Sequence, residues 1–124
     1  MFALPVAGKN GSWQGFIEPR EAESQLLVRS VLALEVPESR RTEVTLYLTR
    51  ANFGLVIGNF EMDLDGDEVR FKTGADLADV ELTEATVDHL LLAGVVTCDQ
   101  YLPGLHQVLD GTDSAAAIRA IEES

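Results

Sequence analysis

Asp65-Gly66 constrains this chain more than any other pair of residues, because it sits between two segments, FEMDL and DEVRF, whose alternation makes sense only as a β-hairpin. A two-residue Asp-Gly loop takes positive φ at both central positions and twists in the sense of the strands it joins. Counting outward, Leu64 faces Asp67, Asp63 faces Glu68, Met62 faces Val69, Glu61 faces Arg70 and Phe60 faces Phe71. This register gathers the apolar residues on one face and the charged ones on the other, so one side is core and the other is water.

The rest of the chain reads in the same way. Asn10-Gly11 marks a turn, and SWQGFIEP alternates Trp13, Gly15 and Ile17 against Ser12, Gln14 and Phe16, which predicts a strand. Gln25 to Val36 is a leucine- and valine-rich run with Arg29 and Glu35 as its only charges, a strand hairpin-paired with the one before it. Pro37 and Glu38 open a helix. In it Val44, Tyr47, Leu48 and Ala51 form an apolar stripe opposite Arg40, Glu43 and Arg50. Asn52 and Gly54 are expected to end this helix in left-handed backbone. Thr83 caps a second helical region whose apolar residues recur from Val87 to Leu109, with a break or kink expected near Gly94 or Pro103. Gly111 closes it, and TDSAAAIRAIEES is a terminal helix capped by Asp113 or Ser114.

With 124 residues, 46% hydrophobic and 24% charged, the profile is that of one globular domain spanning 1–124. No apolar run approaches the roughly 18 residues of a membrane span, and MFALPVAGK has no basic leader, so a cytoplasmic protein is expected. The single Cys98 agrees with a reducing compartment.

The net charge of −12 is unevenly placed. Residues 1–60 hold six Lys/Arg and six Asp/Glu, and residues 61–124 hold three and fifteen. Such a field repels phosphate backbones and anionic lipid heads, which argues against direct nucleic-acid or membrane binding. It suits solubility, a cation or a basic segment of another protein.

Few residues invite chemistry. Glu61, Asp63, Asp65, Gly66 and Asp67 fit positions one, three, five, six and seven of a calcium-binding loop, but the twelfth is Lys72 and the flanks alternate as strands. Asp63 and Glu68, facing each other across the ladder, form a like-charge pair that a cation or a partner's Lys/Arg would relieve. On the wet face of a hairpin they lack the burial that acid–base catalysis needs. His89, Cys98 and His106 are spaced nine and eight residues apart, unlike short helical metal sites. No GxSxG elbow, phosphate-cradling loop, dinucleotide fingerprint or HExxH helix occurs, so no catalytic residue, metal or cofactor is expected.

The run LTRANFGLVIGNFEMDLDGDEVRFKT at 48–73, with VPESRR before it and DQYLPGL after it, resembles the bacterial YbjN family of sensory transduction regulators, from about Trp13 to Gly111. The resemblance implies an α+β domain similar to type III secretion chaperones, an antiparallel sheet packed against helices, without catalytic residues. It also implies homodimers, binding of other proteins and a link to stress responses. One departure stands out: the twelve residues before Trp13, with Pro5, Gly8 and Gly11, are too broken for the family's first helix, which is absent or replaced. The expected function is therefore a non-enzymatic adaptor or chaperone-like protein, with Asp63, Asp65, Asp67 and Glu68 attracting a basic segment of a partner. The alternative is a small-molecule or cation sensor whose ligand shifts a dimer equilibrium.

Overall fold

The computed structural model describes residues 1–124. Five antiparallel strands, β1 (Phe2–Ala7), β2 (Ser12–Arg20), β3 (Gln25–Leu32), β4 (Asn59–Met62) and β5 (Val69–Asp76), form one sheet in the order β1-β2-β3-β5-β4. Three helices, α1 (Arg41–Gly54), α2 (Glu84–Leu109) and α3 (Ser114–Glu122), complete the α+β domain. Strand alternation decides which face they cover. Trp13, Leu26, Val28, Ser30, Leu32, Phe60, Val69, Phe71 and Thr73 are buried, while the residues between them along each strand are more exposed. On the buried face α2 lies against β3 and β5, α1 lies against β4, and α3 packs on both helices. The expected stripe of α1, Val44, Tyr47, Leu48 and Ala51, is the part of that helix that enters the core. There Phe60 stands edge-on to Phe71 and Tyr101, with ring centroids 5.1 Å and 5.8 Å apart.

The hairpin register is as the sequence dictates, from Phe60 opposite Phe71 to Met62 opposite Val69. Its turn is not. Neither Asp65 nor Gly66 has positive φ, and pairing stops at Met62 and Val69, so Leu64 does not ladder with Asp67. The Asp63 carboxylate accepts the Asp65 N–H at 2.9 Å and the Asp63 carbonyl accepts the Gly66 N–H at 3.3 Å. An Asx-turn at Asp63 competes successfully with the tight two-residue loop. The Asp63 N–H still donates to the Glu68 carbonyl at 2.9 Å, which keeps the register across the wider loop.

Other expectations are corrected. β3 ends at Leu32 rather than Val36. Neither Asn52 nor Gly54 is left-handed; that conformation falls to Gly58, φ +79°, where a Cβ would strike the Phe71 ring and Thr73. Asn52 acts through its side chain, accepting from the Phe60 N–H at 2.7 Å and donating to the Phe60 carbonyl at 2.9 Å. Since Asp63 and Glu68 are a bonded pair, Phe60 presents its backbone groups to the outer edge of β4, and the Asn52 amide seals that edge, with the Asn59 amide also donating to the carbonyl at 3.3 Å.

Nor is α2 broken. It runs through Gly94 and Pro103 without interruption. Gly94 lets the helix approach the sheet, as a Cβ there would lie 3.0 Å from the Ser30 hydroxyl. Pro103 does leave the Asp99 carbonyl without its helical donor. The Asn10 side-chain amide donates to it at 2.8 Å, and the Asp99 carboxylate accepts the Asn10 N–H at 2.8 Å. The helix ends at Gly111, φ +113°, with Gly111 N–H bonding the Val108 carbonyl and Thr112 N–H bonding the Gln107 carbonyl, a Schellman pair. Arg40 and Glu43 are not a bare polar face. Arg40 donates to the Val108 and Thr112 carbonyls at 2.9 and 3.1 Å, and Glu43 accepts the Ser114 N–H at 2.9 Å, tying α1 to the α2–α3 corner.

The residues before Trp13 form no helix; Phe2–Ala7 make the edge strand β1, paired with β2 around the Asn10-Gly11 turn. The Gly8 N–H bonds the Gly11 carbonyl at 2.8 Å, which sets the phase of the ladder: Phe2, Leu4 and Val6 bond inward, and Pro5 falls on the outer edge, where its missing N–H costs no pair.

Candidate functional site

Asp63, Asp65, Asp67 and Glu68 are all exposed in the hairpin loop. Their surroundings are less bare than the charge pattern implies. Register places Arg70 opposite Glu61 and Lys72 two residues further along the same face. Arg70 Nε bonds one Glu61 oxygen, Lys72 Nζ lies 3.1 Å from the other, and Arg70 Nη1 reaches Glu68 at 3.6 Å. Burial pushes the Glu61 carboxyl pKa up, but the hydrogen bonds and charges of Arg70 and Lys72 outweigh it and hold it below the ordinary glutamate value. The relief expected for Glu68 thus comes from the chain's own Arg70. Lys72, at the twelfth position of the calcium-loop pattern, is committed to Glu61, and no three His, Cys, Asp or Glu side chains converge in a metal-binding group.

Sequence reasoning missed a second feature, which depends on β1. On the sheet face opposite the helices, Pro5, Gln14 and Val31 line up across β1, β2 and β3. With Ala7, Phe16 and Ala33 they line an open, mainly apolar groove of about 570 Å³. One end is stiffened by Arg29, whose guanidinium lies 5.7 Å from the Phe16 ring centroid and 3.4 Å from Glu18. Val31, Leu32 and Ala33 also line a second hollow of about 420 Å³, together with Leu34, Glu35, Asp67 and Glu68. Two of the four acidic residues singled out from sequence therefore flank an apolar groove, while Asp63 and Asp65 lie outside it. The signal lies in LPVA and SWQGF on either side of Asn10-Gly11, two short runs about one turn, where Pro5, Gly8 and Gly11 exclude a helix but leave a strand open.

The remaining candidates are kept apart by packing. Cys98 is fully buried, and burial pushes its thiol up to about 12 despite a hydrogen bond with Ser30, so it carries no thiolate near neutral pH. His89 and His106 are exposed on α2. Burial, the neighbouring Tyr101 and Glu122 all push the Tyr47 hydroxyl pKa up, and it donates to the Tyr101 carbonyl at 2.6 Å as a structural bond. Among these groups no nucleophile is paired with a base.

No helix is long and apolar enough to cross a membrane. The YbjN family model, described as "Putative bacterial sensory transduction regulator", matches residues 3–107. No curated protein and no solved structure matches the chain.

Proposed function

The chain belongs to the YbjN family, whose description supports a regulatory role, and on that premise we propose that it is a non-enzymatic adaptor that binds a segment of another protein. One observation carries this reading: an apolar groove on the uncovered face of the sheet, which shares Val31, Leu32 and Ala33 with a neighbouring hollow bordered by Glu35, Asp67 and Glu68. Apolar side chains of the segment gain by leaving water over Phe16 and Val31, and a Lys or Arg beside them meets unburied carboxylates at the rim. The central contacts supply affinity; the rim charges supply capture rate and orientation.

Affinity capture from the native bacterium tests this. Val31→Asp, on the open face and remote from the core, should abolish retention of the partner. Asp67→Lys with Glu68→Lys should slow capture and flatten its dependence on salt. Equal yield from both variants and the unaltered protein would remove the groove from the mechanism.

The groove volume of about 570 Å³ also lies within the range filled by small ligands, and it favours, as second reading, a sensor whose ligand shifts a dimer equilibrium. Thermal melts with calcium, magnesium and nucleotides separate the two, since a ligand that prefers the folded state raises the midpoint. Light scattering in the same samples reports whether the protein is a homodimer and whether Val31→Asp dissociates it.

A further inference from the structure

The outer surface of α2 carries a feature that the groove does not explain. Glu84, Asp88, Leu92 and Val96 follow one another at intervals of four, and all are exposed, Leu92 by 57% and Val96 by 56%. Residues four apart form a continuous ridge on a helix, so two carboxylates lead directly into two bare aliphatic side chains over about 18 Å. The loop before the helix repeats the mixture, with Val80 and Leu82 exposed beside Asp79 and Glu81. From Thr73 to Ile118 the sequence has no Lys or Arg, and no ion pair of the structure involves a carboxylate of this stretch. The aliphatic pair lacks cover and the acids lack counter-charge.

We propose that this ridge docks an amphipathic helix of another protein, with Lys or Arg against Glu84 and Asp88 and aliphatic residues against Leu92 and Val96. A helix fits because a ridge of residues four apart seats in the groove between two such ridges of a facing helix. A basic partner fits because the stretch that carries the ridge has acids and no Lys or Arg, and none of its carboxylates is paired. A second copy packed on the same ridge brings no cation to it, and an anionic membrane is repelled by it. The surface lies on the helix layer, away from the groove, and stands whether or not the groove binds a protein.

The test uses the full chain and a labelled helical peptide of about 18 residues with Lys at two successive i, i+4 positions and Leu at the next two, beside a scrambled isomer. Fluorescence anisotropy at low salt should show the patterned peptide binding about tenfold or more tightly than the isomer. Leu92→Ala with Val96→Ala should weaken it about tenfold, and Glu84→Gln with Asp88→Gln should remove most of its salt dependence. Val31→Asp, in the groove, should change nothing, which keeps failure of this proposal distinct from failure of the groove. All these positions are exposed or on the open sheet face, and circular dichroism melts check that each variant folds. Equal binding of the two peptides, no binding, or binding indifferent to the ridge substitutions would overturn the proposal. So would a dimer in light scattering that Leu92→Asp dissolves, which would give the ridge to a second copy, or Leu92-dependent binding to phosphatidylcholine vesicles.

Discussion

The hairpin and the segment leading into α2 hold the same complement of acids: Glu61, Asp63, Asp65, Asp67 and Glu68 in one, Asp76, Asp79, Glu81, Glu84 and Asp88 in the other. In the hairpin, strand register sets Arg70 and Lys72 on the face that carries Glu61, and Arg70 also reaches Glu68. In the α2 segment no ion pair forms: from Thr73 to Ile118 there is no Lys or Arg, and Arg20, which lines a hollow with Asp76, pairs with Glu23 instead. Equal acid content therefore yields a partly neutralised, structurally committed surface in one place and an uncompensated one in the other. Whether a run of acids forms part of the fold or remains available to a partner depends on where the backbone puts the bases.

The two regions also differ in how firmly they are held, and this difference gives the largest expected effect. Asn52→Ala would strip the Phe60 N–H of its partner and leave the Phe60 carbonyl only the 3.3 Å bond from the Asn59 side-chain amide, at a cost of about 2 kcal/mol in urea unfolding. Hydrogen exchange should speed up in β4 and the hairpin loop and stay unchanged before α2. The loop before α2 is tied to the rest of the chain by one backbone bond, Leu77 N–H to the Ser24 carbonyl at 2.7 Å; its other bonds, Ala78 N–H to the Asp76 carboxylate, Val80 N–H to the Leu77 carbonyl and the Thr83 cap, are local. Thr83→Ala should therefore cost about 1 kcal/mol and loosen the first turn of α2 only. Global loosening from Thr83→Ala, or a silent Asn52→Ala, would break the contrast.

This contrast was only half legible in the sequence. Side-chain period announces which face of β4 and β5 is wet, so the hairpin register and the stripe of α1 were readable from residues 44–71 alone. Asp63's Asx-turn was not, because a side-chain bond two residues away decided between turn types that the Asp-Gly pair leaves open. Gly94 and Pro103 looked like breaks in α2 because their partners, Ser30 and Asn10, are distant in sequence. The acidic loop was visible as charge, but the groove beside it needs β1, and β1 is ordered by pairing with β2 rather than by its own propensity. The ridge of α2 was similarly hidden: Leu92 and Val96 fall within an apolar run, and only the sheet's position shows which side of the helix stays in water.

A smaller effect follows from titration. Because Arg70 and Lys72 depress the folded-state pKa of Glu61, its contribution to stability is complete above the ordinary glutamate range and is lost as the pH falls through the depressed folded value. Glu61→Gln should therefore remove part of the drop in melting temperature between about pH 7 and about pH 3. An unchanged drop in Glu61→Gln would mean that the bonds from Arg70 and Lys72 do not commit Glu61 to the fold.

The smallest effect is the most discriminating, because its sign differs between the regions. Asp88→Lys puts a cation four residues after Glu84, the favourable order on a helix, and should stabilise the protein by about 0.3–0.5 kcal/mol in low salt. Glu61→Lys makes the same charge change but sets the new ammonium beside Arg70 and Lys72 with no carboxylate between them, so it should destabilise the protein. Salt should shrink both differences, as it screens exposed charges. Urea midpoints at low and high salt decide the matter: loss of stability in both variants would show that the carboxylates at the start of α2 also serve the fold, and the reason to regard that surface as open to a basic partner would then be gone.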